Sequence, residues 1–161
     1  MPRTLYIIRH AQASHEQIFP GDFYRTLDKQ GYKEAMEMAA WFTGEELLPD
    51  CFISSPAIRA YSTALIFAKQ LNYTPENIQL KDAIYDASFR TLYSVLREGK
   101  DAHSSIAIFG HNPGLTDLLN DLCGFCTENI PTSGIAAVTI KSKSWNELKS
   151  GSGKLLTIEF P

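Results

Sequence analysis

Short apolar runs that alternate with stretches of helical periodicity constrain this chain more than any other feature. Thr4 to Arg9, Cys51 to Ser54, Ile78 to Leu80 and Ser105 to Phe109 have the length and apolar content of buried strands, and a helical pattern follows each. Tyr32, Ala35, Met36, Ala39 and Phe42 recur at helical spacing between Asp28 and Gly44, and Ala57, Ala60, Tyr61, Ala64, Ala68 and Leu71 do so after Pro56. Phe89, Leu92, Tyr93 and Leu96 form a third set between Ser88 and Gly99; Leu115, Leu118, Leu119 and Leu122 form a fourth. Parallel strands need long crossovers and helices supply them, so the pattern predicts a three-layer α/β/α fold on a mostly parallel sheet. Two late strands, Ala136 to Lys141 and Leu155 to Phe160, have no comparable helix between them. The Ser/Lys/Gly-rich stretch Ser142 to Lys154 therefore reads as a hairpin connection with an exposed tip, leading to an antiparallel edge strand. With 161 residues and 44% hydrophobic composition, a single domain over residues 1–161 is expected.

A net charge of −3 offers no general attraction for nucleic acid or an anionic membrane, so any anion site has to be local. No apolar run approaches the roughly 20 residues of a membrane span, and Met1-Pro2-Arg3 leads straight into an expected strand, so no signal peptide is expected. A cytoplasmic protein is the expectation, and three cysteines, an odd number, fit a reducing compartment. Cys123-Gly124-Phe125-Cys126 lacks the second pair that a zinc site needs. Its place after the Leu-rich helix disfavours a thiolate, so packing is the simpler role.

The charged and imidazole side chains fall at one edge of the expected sheet. Arg9-His10 ends the first strand, Ser54-Ser55-Pro56 ends the second, and Gly110-His111-Asn112-Pro113 ends the fourth. Open α/β sheets bind ligands at the carboxyl ends of their strands. Ser55 or Asn112 as N-cap, with Pro56 or Pro113 at the first helical position, would start two helices there and aim their N–H groups at an anion. Arg59 lies in the first turn of one of them. Arg9 and Arg59 would hold a phosphoryl group through paired hydrogen bonds and stabilise the charge of its transition state. Neighbouring guanidinium groups keep His10 neutral, with a lone pair for attack, and His111 would donate to a further oxygen. The cations make a metal or other cofactor unnecessary. Ser14 either donates to the phosphate or makes a cap, Arg25 either touches substrate or pairs with Asp22 or Asp28, and Asn112 stands beside the phosphate. Thr132 and Ser133 read as turn residues, Asp28 as an N-cap, and His15 and His103 as facing solvent.

Leu5-Tyr6-Ile7-Ile8-Arg9-His10-Ala11 resembles the Arg-His-Gly signature of the histidine phosphatase superfamily, with Ala11 in place of the usual glycine. Asp22-Phe23-Tyr24-Arg25-Thr26-Leu27 with Gly31, Ser54-Ser55-Pro56 with Arg59 and Thr63-Ala64, Gly110-His111-Asn112-Pro113-Gly114 and Pro131-Thr132-Ser133-Gly134 resemble the SixA-type phosphohistidine phosphatases. The resemblance spans nearly the whole chain. It implies a phosphoglycerate mutase-like fold and a covalent phosphohistidine on His10, with Arg9, Arg59 and His111 holding the oxygens. In larger members an acidic residue protonates the leaving group. Here the matching region offers Asp82 and Asp86, of which Asp86, just before a helix, is the better candidate. Without a strong acid, a substrate with a good leaving group, such as a phosphohistidine protein, is favoured. The alternatives are a phosphatase of a small phosphomonoester, such as a sugar or nucleotide phosphate, and a catalytically weak module that binds phosphorylated partners.

Overall fold

The computed structural model describes residues 2–15, 20–45 and 48–161. Among the described residues the strands are β1 (Arg3–Arg9), β2 (Cys51–Ser54), β3 (Gln79–Leu80), β4 (Ser105–Gly110), β5 (Ile135–Ile140) and β6 (Gly153–Glu159). The α-helices are α1 (Lys29–Gly44), α2 (Ile58–Gln70), α3 (Phe89–Arg97) and α4 (Gly114–Cys123). One sheet joins the strands in the order β3-β2-β4-β1-β5-β6. The first four in that order run parallel. β5 runs against β1, and β6, at the edge, runs against β5. The expected mixed α/β architecture is therefore present, with the reversal of direction carried by β5 one place inside the edge.

Alternation along the central strands divides the core between two faces. Leu5 and Ile7 of β1 and Ile106 and Ile108 of β4 meet Leu92 and Leu96 of α3 and Leu115, Leu118 and Leu119 of α4. Tyr6, Ile8, Ala107 and Phe109 point the other way, onto Met38 and Phe42 of α1 and Ala64 and Phe67 of α2. Because both faces are covered, β1 and β4 are apolar along nearly their whole length. Among the described residues no helix is long and apolar enough to cross a membrane.

Two local expectations are corrected and one is refined. Met38, not Met36, lies on the buried face of α1, and Tyr32 and Met36 are exposed. The connection between β5 and β6 has the expected exposed tip at Asn146, Glu147 and Lys149 to Gly151, but it is not a surface loop throughout, because Trp145 is wholly buried within it. Its indole N–H donates to His103 O at 2.8 Å, and the ring lies under the guanidinium of Arg3. The N-caps of α2 and α4 are Ala57 and Pro113, one or two residues later than Ser55 and Asn112. Ala57 keeps an extended ψ of 137°, so the helix cannot begin before Ile58. Ser55 Oγ still accepts from the Ala57 N–H, and Asn112 Oδ1 accepts from the Thr116 N–H, so both side chains brace the helix starts from outside. Asp28 is the N-cap of α1, accepting from Gly31 N at 2.7 Å.

Gly31 brings α1 against the loop that follows β1. A Cβ there would stand 2.1 Å from Gln12 O, a backbone atom two residues beyond His10. Alanine normally gains about 1 kcal/mol over glycine inside a helix. At this position the clash outweighs that gain, and Gly31→Ala is expected to lose roughly 2 to 4 kcal/mol of stability in urea unfolding.

Candidate active site

Strand ends and helix starts converge where Arg9, His10, Arg59 and His111 meet. They line a cleft of about 250 Å³ with Gln12, Ala13, His15, Arg25, Asn112 and Thr132. His10, Arg59 and His111 are buried, and Arg9 is half-buried. The two imidazole rings lie 5.2 Å apart, centroid to centroid.

His10 is held in one tautomer. Its Nδ1 lies 2.7 Å from Ala11 O, and a carbonyl only accepts, so Nδ1 carries the proton and Nε2 carries the lone pair. Arg59 Nε donates to that Nε2 across 3.4 Å. Burial above all, then His111, Arg59 and Arg9, push the His10 pKa down to about 3, against the opposing bond to Ala11 O. His111 Nε2 stands 2.8 Å from Ser55 Oγ, and burial followed by Arg59 pushes its pKa down to about 4. Both rings are neutral at pH 7. Such a pair, one with an available lone pair among guanidinium groups, can attack an electrophilic phosphorus while the cations hold its oxygens.

The loop after β1 and the first turns of α2 are fastened together by Thr63. Its hydroxyl accepts from Ala11 N at 2.9 Å and donates to Arg59 O at 2.7 Å. The Pro131 to Gly134 turn closes the other side, where Ser133 N donates to His10 O and Gly134 O accepts from Arg9 N. Arg9 also donates to Ile130 O at 3.0 Å. Among the described residues, the buried side-chain polar atoms without a partner are Arg9 Nε, His111 Nδ1 and Ser133 Oγ. Arg9 and His111 line the cleft, and Ser133 lies just behind it, its N–H on His10 O.

The remaining candidates separate. Arg25 lines the cleft and pairs with Asp22 at 3.0 Å, the ion pair weighed from the sequence. Asn112 also lines it, but its side chain is spent on Asn129, Ile130 and Thr116, so it holds the loop rather than a ligand. Ser14 is outside the lining; its backbone carbonyl accepts from Arg25 Nε. Asp86 is exposed, has a left-handed φ of 53° and is also outside the lining. His15 is exposed, as read from the sequence, and also borders the cleft, with its Nδ1 3.3 Å from Arg25. Cys123 has its thiol pushed up to about 12, chiefly by burial, which suits the packing role.

Asp22 is the residue that sequence reasoning undervalued. Its carbonyl accepts from Arg59 at 2.8 Å, and its Oδ2 accepts from Arg59 at 3.0 Å and from the Tyr85 hydroxyl at 2.7 Å. The Tyr85 hydroxyl first, then Arg25 and Arg59, hold this carboxyl well below the usual carboxylate range. Asp22 was visible as a partner for Arg25, three residues away, but nothing local pointed to Arg59 or Tyr85.

The neutral histidines have a consequence for stability. In the unfolded chain both bind protons below about 6.5, whereas the folded chain excludes them until about 4 and about 3. The unfolded state therefore carries more protons in that window, and stability is lost as pH falls from 6.5 toward 4. Between pH 7 and pH 5 the expected loss is roughly 1 to 2 kcal/mol for each histidine, read by urea unfolding at the two pH values. An Asn in place of either ring should remove that ring's share; equal pH dependence in wild type and variants would mean that the rings are protonated in the fold.

The sequence from residue 5 to residue 93 matches the histidine phosphatase superfamily (branch 1). No curated protein sequence gives a match. Among solved structures, a protein assigned as the phosphohistidine phosphatase SixA of Agrobacterium tumefaciens is similar, with a TM-score of 0.82 and 24% identity over 100% of this chain and 99% of that one. A protein histidine phosphatase SixA complexed with tungstate also gives a TM-score of 0.82, at 24% identity over 98% and 96% of the two chains. A mycobacterial glucosyl-3-phosphoglycerate phosphatase is similar at a TM-score of 0.67 and 12% identity, covering 96% and 97%. At these identities the likeness is one of fold, and it bears out the phosphoglycerate mutase-like architecture. With more than half of its length matched by the family, this chain belongs to the histidine phosphatase superfamily and is a phosphoryl-bond hydrolase.

Proposed function

We propose that the protein removes the phosphoryl group from a phosphohistidine side chain of another protein. His10 Nε2 attacks phosphorus in line, the substrate imidazole leaves, and water then hydrolyses the phosphohistidine on His10. Arg9 and Arg59 hold the phosphoryl oxygens, and His111 supplies a further contact.

One observation carries the choice of substrate. Asp22, which grips Arg59 at the cleft, is held ionised by Tyr85, Arg25 and Arg59 and has no proton to give. An alkoxide leaving from a sugar phosphate needs such a proton, whereas an imidazole protonated on its distal nitrogen leaves as a neutral ring. The names of the SixA neighbours agree with this reading. The mycobacterial neighbour acts by its name on a sugar phosphoester, and that is the competing substrate class.

Purified protein incubated in parallel with a phosphohistidine protein, a sugar phosphate and an aryl phosphate tests the reading. The phosphohistidine protein is expected to lead the sugar phosphate in kcat/KM by about 100-fold or more. A preference for the sugar phosphate would assign the protein to small phosphomonoesters. Phosphate binding without turnover of any of the three would make it a recognition module.

A further inference from the structure

The Asp22 carboxylate lies at the other end of the Arg59 guanidinium from His10. Arg59 spans the interval, with Nε facing the lone pair of His10 at 3.4 Å and terminal nitrogens reaching Asp22 at 2.8 and 3.0 Å. The carboxylate thus lies one guanidinium width beyond the nucleophile. A phosphoryl group lying along Arg59, attacked from the His10 side, releases its leaving group toward Asp22. Phe23 and Tyr85 pack edge to face against each other next to Asp22, with ring centroids 5.2 Å apart, and Tyr24 packs against Phe23 and is exposed. Among the described residues, Oδ2 accepts from both Arg59 and Tyr85 while Oδ1 accepts from Arg25 alone. A carboxylate oxygen has two acceptor positions, so Oδ1 keeps one.

We infer that Asp22 accepts the distal N–H of the departing imidazole and thereby selects phosphohistidine over phosphoesters. The inference rests on the function proposed above and names the group that sets its specificity. A phosphohistidine protonated on its distal nitrogen carries a positive ring, and a carboxylate beside that N–H favours the protonated form. The His10 Nε2 lone pair forms the new N–P bond, and the substrate N–P bond breaks with its pair returning to the substrate nitrogen. The imidazole departs neutral, its distal N–H never transferred. Water then forms a P–O bond, the pair of the second N–P bond returns to His10 Nε2, and a water proton leaves with the phosphate or to solvent. Asp22 is an anion throughout, acting by charge rather than as an acid. An alkoxide or phenoxide has no N–H to offer and meets a negative charge instead.

The charged and titratable groups facing Asp22 are Arg25 from its own segment, Arg59 from α2, Tyr85 from the segment before α3 and, behind the edge-on Tyr85 ring, His111 from the end of β4, which feels the Asp22 charge. Asp22→Asn keeps the backbone carbonyl that holds Arg59 and an amide oxygen for Tyr85, while removing the charge. The test compares wild type and Asp22→Asn on a phosphohistidine protein and on an aryl phosphate, with single-turnover rates followed from pH 6 to pH 9, a window set around the ordinary imidazole pKa of about 6.5. The ratio of phosphohistidine to aryl phosphate rates is expected to fall by about tenfold or more, and the alkaline limb of the phosphohistidine profile to move to lower pH. Equal losses on the two substrates, or an unmoved alkaline limb, would overturn the assignment and leave Asp22 as a support for Arg59. A wild type that fails to turn over phosphohistidine would instead overturn the proposed function, and this inference with it.

Discussion

His10→Ala is expected to lower turnover by about 10⁴-fold or more while leaving phosphate binding within a few-fold of wild type. The two effects separate because attack and binding rest on different atoms. The lone pair sits on Nε2, oriented by the Nδ1 bond to Ala11 O, and no other described side chain lining the cleft presents a neutral imidazole nitrogen in that tautomer beside Arg59. Arg9, Arg59 and His111 survive the substitution. Alkaline quenching, which preserves N–P bonds, should reveal a phosphorylated intermediate in wild type and none in the variant. Wild-type turnover by the variant would remove His10 from the reaction and direct attention to His111, whose Nδ1 lacks a partner.

Arg59→Ala is expected to cost roughly 10³-fold in kcat/KM, with losses in both phosphate affinity and turnover. Arg59 has three engagements at once: Nε toward the lone pair of His10, one terminal nitrogen on Asp22 O and the other on Asp22 Oδ2. Truncation strips a cation from the phosphoryl site and releases the segment around Asp22 from α2. Lysine is not an adequate substitute, because a single ammonium cannot span both contacts in a fixed plane. Arg59→Lys should therefore recover part of the phosphate affinity and little of the turnover. Full recovery by lysine would mean that charge alone matters at this position. Steady-state kinetics with phosphate as a competitive inhibitor distinguish the two results.

Much of this architecture is legible in the sequence because its causes are local. Leu5-Tyr6-Ile7-Ile8 is apolar on both faces because helices cover both, and Asp28 and Ser88 cap the helices they precede. Arg9, His10, Arg59 and His111 could be brought together from order alone, since each follows a strand of one sheet and the carboxyl ends of parallel strands share an edge. What escaped depends on long-range closure. Asp22 meets Arg59 and Tyr85 across sequence separations that no periodicity encodes. His15 is exposed as its sequence suggests, but its contact with Arg25 at the cleft is not encoded locally, and Asn112 is consumed by neighbours that its own motif does not contain. Trp145 sits in a polar stretch whose composition signals a surface loop, and its neighbours are exposed, yet a carbonyl for its N–H lets this one indole turn into the core.

The hydroxyl of Thr63 gives the site a mechanical property. One oxygen, wholly buried, joins the backbone just after His10 to the backbone of Arg59, so the strand end and the helix start share a rivet that neither sheet pairing nor side-chain packing supplies. His10 and Arg59 therefore shift as a unit. Any distortion that slides α2 along the sheet, from temperature, pressure or a distant substitution, carries His10 with it and preserves their spacing until the rivet fails. Activity should accordingly vanish abruptly near the unfolding of α2 rather than fade ahead of it.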